Sequence, residues 1–163
     1  GCKTIGIAGT QEKLDWILSD LGFDHGINYK TENVEDQLRY LCPEGIDVYF
    51  DNVAGPTLDA VLSNIAVHGR VALSGMMENY NKDEPVPGPY QFDMLLMRRA
   101  TITGFLSRDF FPRMEESDSQ IRTWIDQDLI SLRFDETEGI ENAPTAYKCL
   151  FEGKNIGKSI IKI

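Results

Sequence analysis

Apolar residues follow two alternating patterns along the chain: short, nearly continuous runs and longer segments with a helical repeat. The continuous runs predict strands that are covered on both faces. Repeats at i, i+3, i+4 and i+7 predict helices that pack one face on a sheet. The predicted strands are residues 4–8, 26–29, 47–51, 70–74, 101–105 and 159–163.

The helical segments lie between these runs, beginning with residues 11–21, which Gly22 ends. Alternating strands and helices predict an α/β fold with a Rossmann-like, doubly wound and mostly parallel sheet. The apolar stripes are formed by Leu14, Ile17, Leu18 and Leu21, by Val34, Leu38 and Leu41, by Leu58, Val61, Leu62 and Ile65, by Ile121, Trp124 and Ile125, and by Ala143, Ala146, Tyr147, Leu150 and Phe151.

Residues 76–91 interrupt this alternation with Pro85, Pro87 and Pro89 and without usable periodicity. Loops of this length in a compact domain are usually functional or disordered. The segment directly follows the predicted strand 70–74, and open α/β sheets bind ligands beyond the carboxyl ends of their strands. We therefore predict a loop that borders a substrate or cofactor.

The composition excludes several classes of protein. With 16 basic and 26 acidic residues the formal charge is −10, which disfavours a nucleic-acid surface. The apolar runs fall short of the roughly 18 residues that suggest a membrane span. Three dispersed cysteines predict a reducing, cytoplasmic compartment. His25 and His68 lack ligand spacing to any cysteine, so we expect no metal site.

The turn after the first predicted strand suggests a phosphate site, although it lacks a G-x-G-x-x-G motif. NAD enzymes place an acidic residue at the end of the second strand of this fold, where this chain has Gly9 and Thr10. Gly9 leaves space for a 2′-phosphate, Thr10 offers a hydroxyl, and Lys13 adds charge near a helix N-terminus. NADP(H) is the expected cofactor, unless Gly9 is merely a turn residue and Lys13 a solvated charge.

Several ordered motifs across the whole chain resemble the zinc-independent medium-chain dehydrogenase/reductase family, in particular its prostaglandin reductase and NADP-dependent alkenal reductase group. Ala54 departs from the glycine that is common in this group, and residues 76–79 depart from its usual small residues. The motifs are residues 1–9 with Glu12 and Lys13, residues 21–24, 28–30 and 47–53 with Gly55, then Ser74, Gly75, Tyr80 and Asn81, and residues 139–144 and 153–158.

The resemblance implies that residues 1–163 form a truncated NADP-binding domain of the Rossmann type. The first strand, its glycine-rich loop and the GroES-like catalytic domain of the family are expected to lie outside this chain. Because the first strand is central in the order 3-2-1-4-5-6, its neighbours would each keep an unpaired edge. A homodimer is also implied.

Site residues are implied position by position. Lys13 and Tyr29 would meet the adenosine 2′-phosphate, and Asn52 would lie beside the cofactor. The alternatives are that Tyr29 caps the edge of the core and that Asn52 and Asn155 are ordinary turn residues. The nicotinamide end would be met by Ser74, Gly75 and Met76 and by the backbone of Phe105, Leu106 and Ser107. Near the C-terminus, Asn155 would contact the cofactor.

Tyr80 is the candidate catalytic residue. Hydride addition to the β-carbon of an enone leaves an enolate, whose oxygen needs a hydrogen-bond donor. A phenol with a reference pKa of about 10 stays protonated at neutral pH and suits that role. Alternatively, Tyr80 packs against Pro85 or Pro87, or binds substrate while a ribose hydroxyl or water supplies the proton.

The implied activity is the NADPH-dependent reduction of the C=C bond of a small-molecule enone or enal by the full-length protein, the chain alone being inactive. Two alternatives are a quinone reductase on the same scaffold and a noncatalytic NADP-binding or structural module.

Overall fold

A computed structural model describes residues 1–80, 82–84 and 86–163, so Asn81 and Pro85 lie outside the described residues. Strands and helices alternate throughout, with short 3-10 helices at Met77–Asn79, Ser107–Arg113 and Ile140–Asn142. In chain order the elements are β1 Ile5–Ala8, α1 Gln11–Ser19, β2 His25–Asn28, α2 Val34–Leu41, β3 Ile46–Asp51, α3 Gly55–Ser63, β4 Ile65–Leu73, α4 Asp93–Arg98, β5 Thr101–Gly104, α5 Met114–Asp126, β6 Phe134–Glu138, α6 Ala143–Phe151 and β7 Lys158–Lys162.

All strand pairs of the described chain are parallel. β1 pairs with β2, β3 with β4 and β4 with β5, while β6 pairs with β7. Within the described residues, β1 and β3 each have a strand partner on one side only. Parallel strands joined by helical crossovers confirm the predicted α/β fold.

The chain divides into two compact units. Unit 1 contains residues 1–30 and 115–163. Its buried apolar side chains include Leu14 of α1, Ile27 of β2 and Ala146 of α6. The side chain of Thr10 caps α1, and Gly22 adopts a φ of 68° shortly after that helix ends. Unit 1 is therefore built from two strand pairs with helices packed on them.

Unit 2 contains residues 31–114. Its core lies between the helix α3 and the sheet β3-β4-β5, and Leu62, Ile65 and Val71 are almost fully buried there. Burying side chains of this size provides the main stabilisation of such a layer. The carboxyl ends of its three parallel strands lie at one edge of the sheet, where the predicted nicotinamide residues follow them.

Several expectations from the apolar pattern need correction. Ile65 was assigned to a helical stripe but is the first residue of β4. The strand β6 and the helix α4 were not predicted, because their apolar repeats are too short to stand out. Coverage of both strand faces is wrong for β3, where Val48 and Phe50 are 56% and 58% exposed.

Candidate functional site

In unit 1, the loop that leaves β1 packs against the tyrosine that follows β2. The backbone N–H of Tyr29 donates to the carbonyl of Ala8 at 3.1 Å. A Cβ atom placed on Gly9 would lie 2.8 Å from both Cε1 and Oη of Tyr29. Only glycine at position 9 allows the ring to stay in this place. The structure thus brings together two of the predicted phosphate-site residues.

Thr10 and Lys13 lie at the beginning of α1, next to this loop. The hydroxyl oxygen of Thr10 accepts a hydrogen bond from the backbone N–H of Lys13 at 3.3 Å. Because the oxygen acts as the acceptor, the hydroxyl proton remains available for a ligand. The N-terminus of a helix also carries a partial positive charge that favours a bound anion.

The Lys13 side chain reaches the C-terminal part of unit 1, where Nζ donates to the carbonyl of Gly153 at 2.7 Å. Partial burial lowers the pKa of Lys13, the positive charge of Lys30 lowers it further, and Glu12 opposes both effects. The Gly153 carbonyl is a neutral acceptor, so this hydrogen bond brings no full negative charge to the ammonium. A phosphate would supply the missing negative charge.

Lys30 adds a second cation to the corner formed by Gly9, Lys13 and Tyr29. Its Nζ lies 5.9 Å from the centroid of the Tyr29 ring, and its backbone N–H donates to Oδ1 of Asn28 at 3.1 Å. Sequence reasoning used Lys30 only as part of a motif and gave it no role. Its position directly after Tyr29 was the signal that could have identified it.

Asn155 lies in the turn that begins at Gly153. Its Nδ2 donates to the carbonyl of Gly157 at 3.0 Å, so its side chain shapes the turn. The hydrogen bond between Lys13 and Gly153 places this turn beside the start of α1. The contact of Asn155 with a cofactor stays a prediction.

In unit 2, the predicted nicotinamide residues gather where β3 and β4 end. The backbone N–H groups of Ser74 and Gly75 donate to the carbonyl of Asp51 at 2.8 and 3.2 Å. A Cβ atom on Gly75 would lie 3.3 Å from the carbonyl oxygen of Asn52 and from the Tyr80 hydroxyl. Asn52, Gly75 and Tyr80 are therefore close neighbours.

Tyr80 is 61% exposed, and its hydroxyl oxygen accepts a hydrogen bond from the backbone N–H of Met76 at 3.3 Å. Because this bond uses an oxygen lone pair, the hydroxyl proton is still available to donate. Of the two prolines against which Tyr80 could pack instead, Pro85 lies outside the described residues, and a contact with Pro87 stays a prediction. The geometry suits a donor to a substrate oxygen.

Phe105 directly follows β5, and its N–H donates to the carbonyl of Leu73 at 3.2 Å. Its ring meets Phe50 and Phe110 edge-on, at centroid distances of 6.1 and 5.9 Å. The N–H of Leu106 already donates to Oδ2 of Asp109 at 3.1 Å, so this predicted backbone donor has a partner within the chain. Ser107 begins the next 3-10 helix.

Within residues 1–80, 82–84 and 86–163, histidine, cysteine, aspartate and glutamate side chains form no cluster of three or more that suits a metal ion. No helix in this part of the chain has the length and apolar character needed to cross a membrane.

Asp51 is a further residue that sequence reasoning did not single out. It ends β3 and is fully buried, although it lies among the motif residues 47–53. A carboxylate directly after the run of residues 48–50 was the available signal, because buried charges are rare without a specific set of partners.

Comparisons with known proteins agree with these features. Residues 1–122 match the family model described as zinc-binding dehydrogenase. The whole chain is 35% identical to the NADPH-dependent curcumin reductase of Escherichia coli and 37% identical to the NADP-dependent 2-alkenal reductase of Nicotiana tabacum. It spans only 49% and 48% of their respective lengths.

A solved structure shows the same relationship. The crystal structure of CurA from Vibrio vulnificus in complex with NADPH matches 99% of this chain with a TM-score of 0.91 and 36% sequence identity. The chain corresponds to 50% of that protein. These matches confirm the resemblance that the motifs indicated.

Proposed function

Because the chain belongs to the zinc-binding dehydrogenase family, we propose that it is the NADPH-binding half of a reductase for α,β-unsaturated ketones and aldehydes. It covers about half of its curated relatives, two of which are named as curcumin and 2-alkenal reductases. The single observation that carries the proposal is the corner formed by Gly9, Lys13 and Tyr29 in unit 1.

This corner suits the adenosine 2′-phosphate of NADPH. Gly9 replaces the carboxylate of an NAD enzyme, the ammonium of Lys13 donates to a neutral carbonyl at 2.7 Å, and Lys30 adds charge. Each charge-assisted hydrogen bond contributes about 1.5–3 kcal/mol, which corresponds to about 10- to 150-fold in affinity. Asn155, in the adjoining turn, would hold the cofactor.

The nicotinamide end is proposed to bind unit 2, beside Asn52, Ser74, Gly75 and Met76. The backbone of residues 105–107 would orient its carboxamide. The N–H groups of Phe105 and Leu106 already donate within the chain, so the Ser107 N–H and the carbonyl groups of this segment would meet the cofactor. Bound NADPH supplies a hydride for the β-carbon of the substrate. The residues of this chain then have to orient the enone and stabilise its oxygen.

Tyr80 is proposed to perform that second task. As hydride adds to the β-carbon, the C=C electron pair shifts toward the carbonyl, and negative charge develops on its oxygen. The exposed hydroxyl of Tyr80 donates a hydrogen bond to that oxygen. Transfer of a proton from water or from the ribose hydroxyl of the cofactor to the α-carbon would complete the reduction, and no step on these residues requires zinc.

The test is an assay of the full-length protein with NADPH and three substrate classes: enals, enones and quinones. We expect enals and enones to be reduced with higher kcat/KM than quinones. Faster quinone reduction would favour the quinone reductase alternative. Tight NADPH binding without turnover of any substrate would favour a noncatalytic module.

We also propose that residues 1–163 act as one NADP-binding domain of a cytoplasmic homodimer. The family resemblance supports this arrangement. Light scattering of the full-length protein should give twice the mass of one chain, and the mass of a single chain would exclude the dimer.

A further inference from the structure

The buried carboxylate of Asp51 holds the turn between β3 and α3. One oxygen, Oδ1, accepts three hydrogen bonds: from the backbone N–H groups of Val53 and Ala54 at 2.8 and 2.9 Å, and from the hydroxyl of Tyr49 at 3.1 Å. Asp51 itself is 0% exposed. The carboxylate therefore binds the turn from inside the unit.

The turn needs such a partner because Ala54 is strained. Its φ of 63° and ψ of −150° lie in a region that is essentially restricted to glycine. Ala54 is also buried, and its N–H points at Asp51. The charged hydrogen bond offsets the cost of this conformation, which a residue with a Cβ would otherwise avoid.

The same turn supports the segment that carries Tyr80. The carbonyl of Asn52 accepts from the N–H of Met77, and that of Val53 accepts from the N–H of Glu78, both at 3.1 Å. The backbone N–H of Met76 in turn donates to the hydroxyl of Tyr80. A shift of the turn would therefore move the acceptors that fix this segment.

The two oxygens of the Asp51 carboxylate have different surroundings. The other oxygen, Oδ2, is buried and has no hydrogen-bond partner among the described residues. Burying a carboxylate is unfavourable unless its hydrogen bonds compensate for the lost water. Burial, together with the negative charge of Asp51, raises the pKa of Tyr49, so this phenol remains a donor at physiological pH.

We propose that Asp51 is a positioning residue for the reduction: it holds the strained Ala54 turn and thereby aligns Asn52 and the 74–80 segment with the nicotinamide end. This inference rests on the proposed function. Asp51 acts through the turn and does not itself touch the cofactor or the substrate.

The test uses Asp51→Ala and Asp51→Asn in the full-length protein, with the exposed Asp47→Asn on the same strand as the matched control. Asp51→Ala should lower kcat about 10- to 100-fold, because small misplacements of reacting groups have effects of this size. The dissociation constant of adenosine 2′,5′-bisphosphate, which lacks the nicotinamide end of the cofactor, should change less than twofold. Asp51→Asn keeps an acceptor oxygen and should recover part of the lost kcat.

Ala54→Gly makes the test specific. Glycine adopts this backbone conformation without strain. The loss of kcat caused by Asp51→Asn should therefore be at least threefold smaller in the Ala54→Gly background than in the wild-type background. Equal losses in both backgrounds would overturn the proposal. So would a loss of adenosine 2′,5′-bisphosphate binding that matches the loss of kcat, because that would indicate general unfolding.

Amide hydrogen exchange separates this inference from the proposed function. In Asp51→Asn, exchange at Met77 and Glu78 should accelerate about tenfold and be restored by Ala54→Gly, whatever reaction the protein catalyses. Unchanged exchange would refute the positioning role. If the wild-type protein reduces no enone but its Asp51→Asn variant shows the expected faster exchange, only the proposed activity is refuted.

Discussion

Replacing Gly9 with alanine tests how the phosphate corner of unit 1 is built. The new methyl group would lie 2.8 Å from Cε1 and Oη of the Tyr29 ring and 2.9 Å from Cζ. Contacts this short do not occur in real structures, so the ring must move. Tyr29 is 51% exposed, and therefore its side chain can turn toward solvent without disturbing the core.

The expected effects follow from this movement. A surface rearrangement should change the free energy of unfolding by about 0.5 kcal/mol or less. Loss of the Tyr29 hydroxyl from a bound phosphate removes a hydrogen bond to a charged group, which is worth about 1.5–3 kcal/mol. The dissociation constant of NADPH should thus rise about 10- to 150-fold, while that of NADH changes little.

Fluorescence titrations of the full-length protein with NADPH and NADH measure both constants. Tyr29→Phe is the matched variant, because it removes the hydroxyl and leaves position 9 unchanged. If Gly9→Ala acts by displacing Tyr29, the double variant should bind NADPH no more weakly than Gly9→Ala alone. Additive losses, or weakening of NADH by the same factor, would refute the reasoning.

Two further predictions concern stability. Gly157→Ala should lower the free energy of unfolding by about 3–4 kcal/mol, because φ is 81° and the Cβ would overlap the main-chain carbonyl of Arg133. Gly153→Ala, with a φ of 63° but open space around the new Cβ, should lower it by about 1–2 kcal/mol. Chemical denaturation measures both changes. Equal losses would contradict the steric argument. The backbone N–H and hydroxyl of Thr4 donate to Asp24 and lower its pKa, so protonation favours the unfolded chain. Melting temperatures should fall as the pH drops below the ordinary aspartate pKa of about 3.9, and less steeply in Asp24→Asn; identical profiles would exclude this contribution.

Most of the fold was predictable because the order of strands and helices follows from the local pattern of apolar residues. Apolar runs identified six of the strands, and helical repeats identified α1, α2, α3, α5 and α6. Ile65 was misassigned because it continues the helical spacing of Leu58, Val61 and Leu62, although the chain turns directly after Asn64. Periodicity cannot resolve a helix and a strand that follow each other this closely.

The site was only partly predictable. The motif pattern selected Gly9, Lys13 and Tyr29, but their mutual packing depends on the pairing of β1 with β2. The hydrogen bond from Lys13 to Gly153 joins residues that are distant in sequence, and no local pattern encodes it. In the sequence, Ala54 stood out only as a departure from glycine. Its strained conformation and its partner Asp51 can be recognised only in the folded structure.

The central claim is that Lys13 recognises the 2′-phosphate of the cofactor. The direct measurement is a titration of the full-length protein and its Lys13→Ala variant with NADPH and NADH, with Lys148→Ala, an exposed lysine of α6, as the control. We predict that Lys13→Ala weakens NADPH about 10- to 150-fold and leaves NADH nearly unchanged, while Lys148→Ala affects neither. Equal weakening of both cofactors by Lys13→Ala would contradict the account.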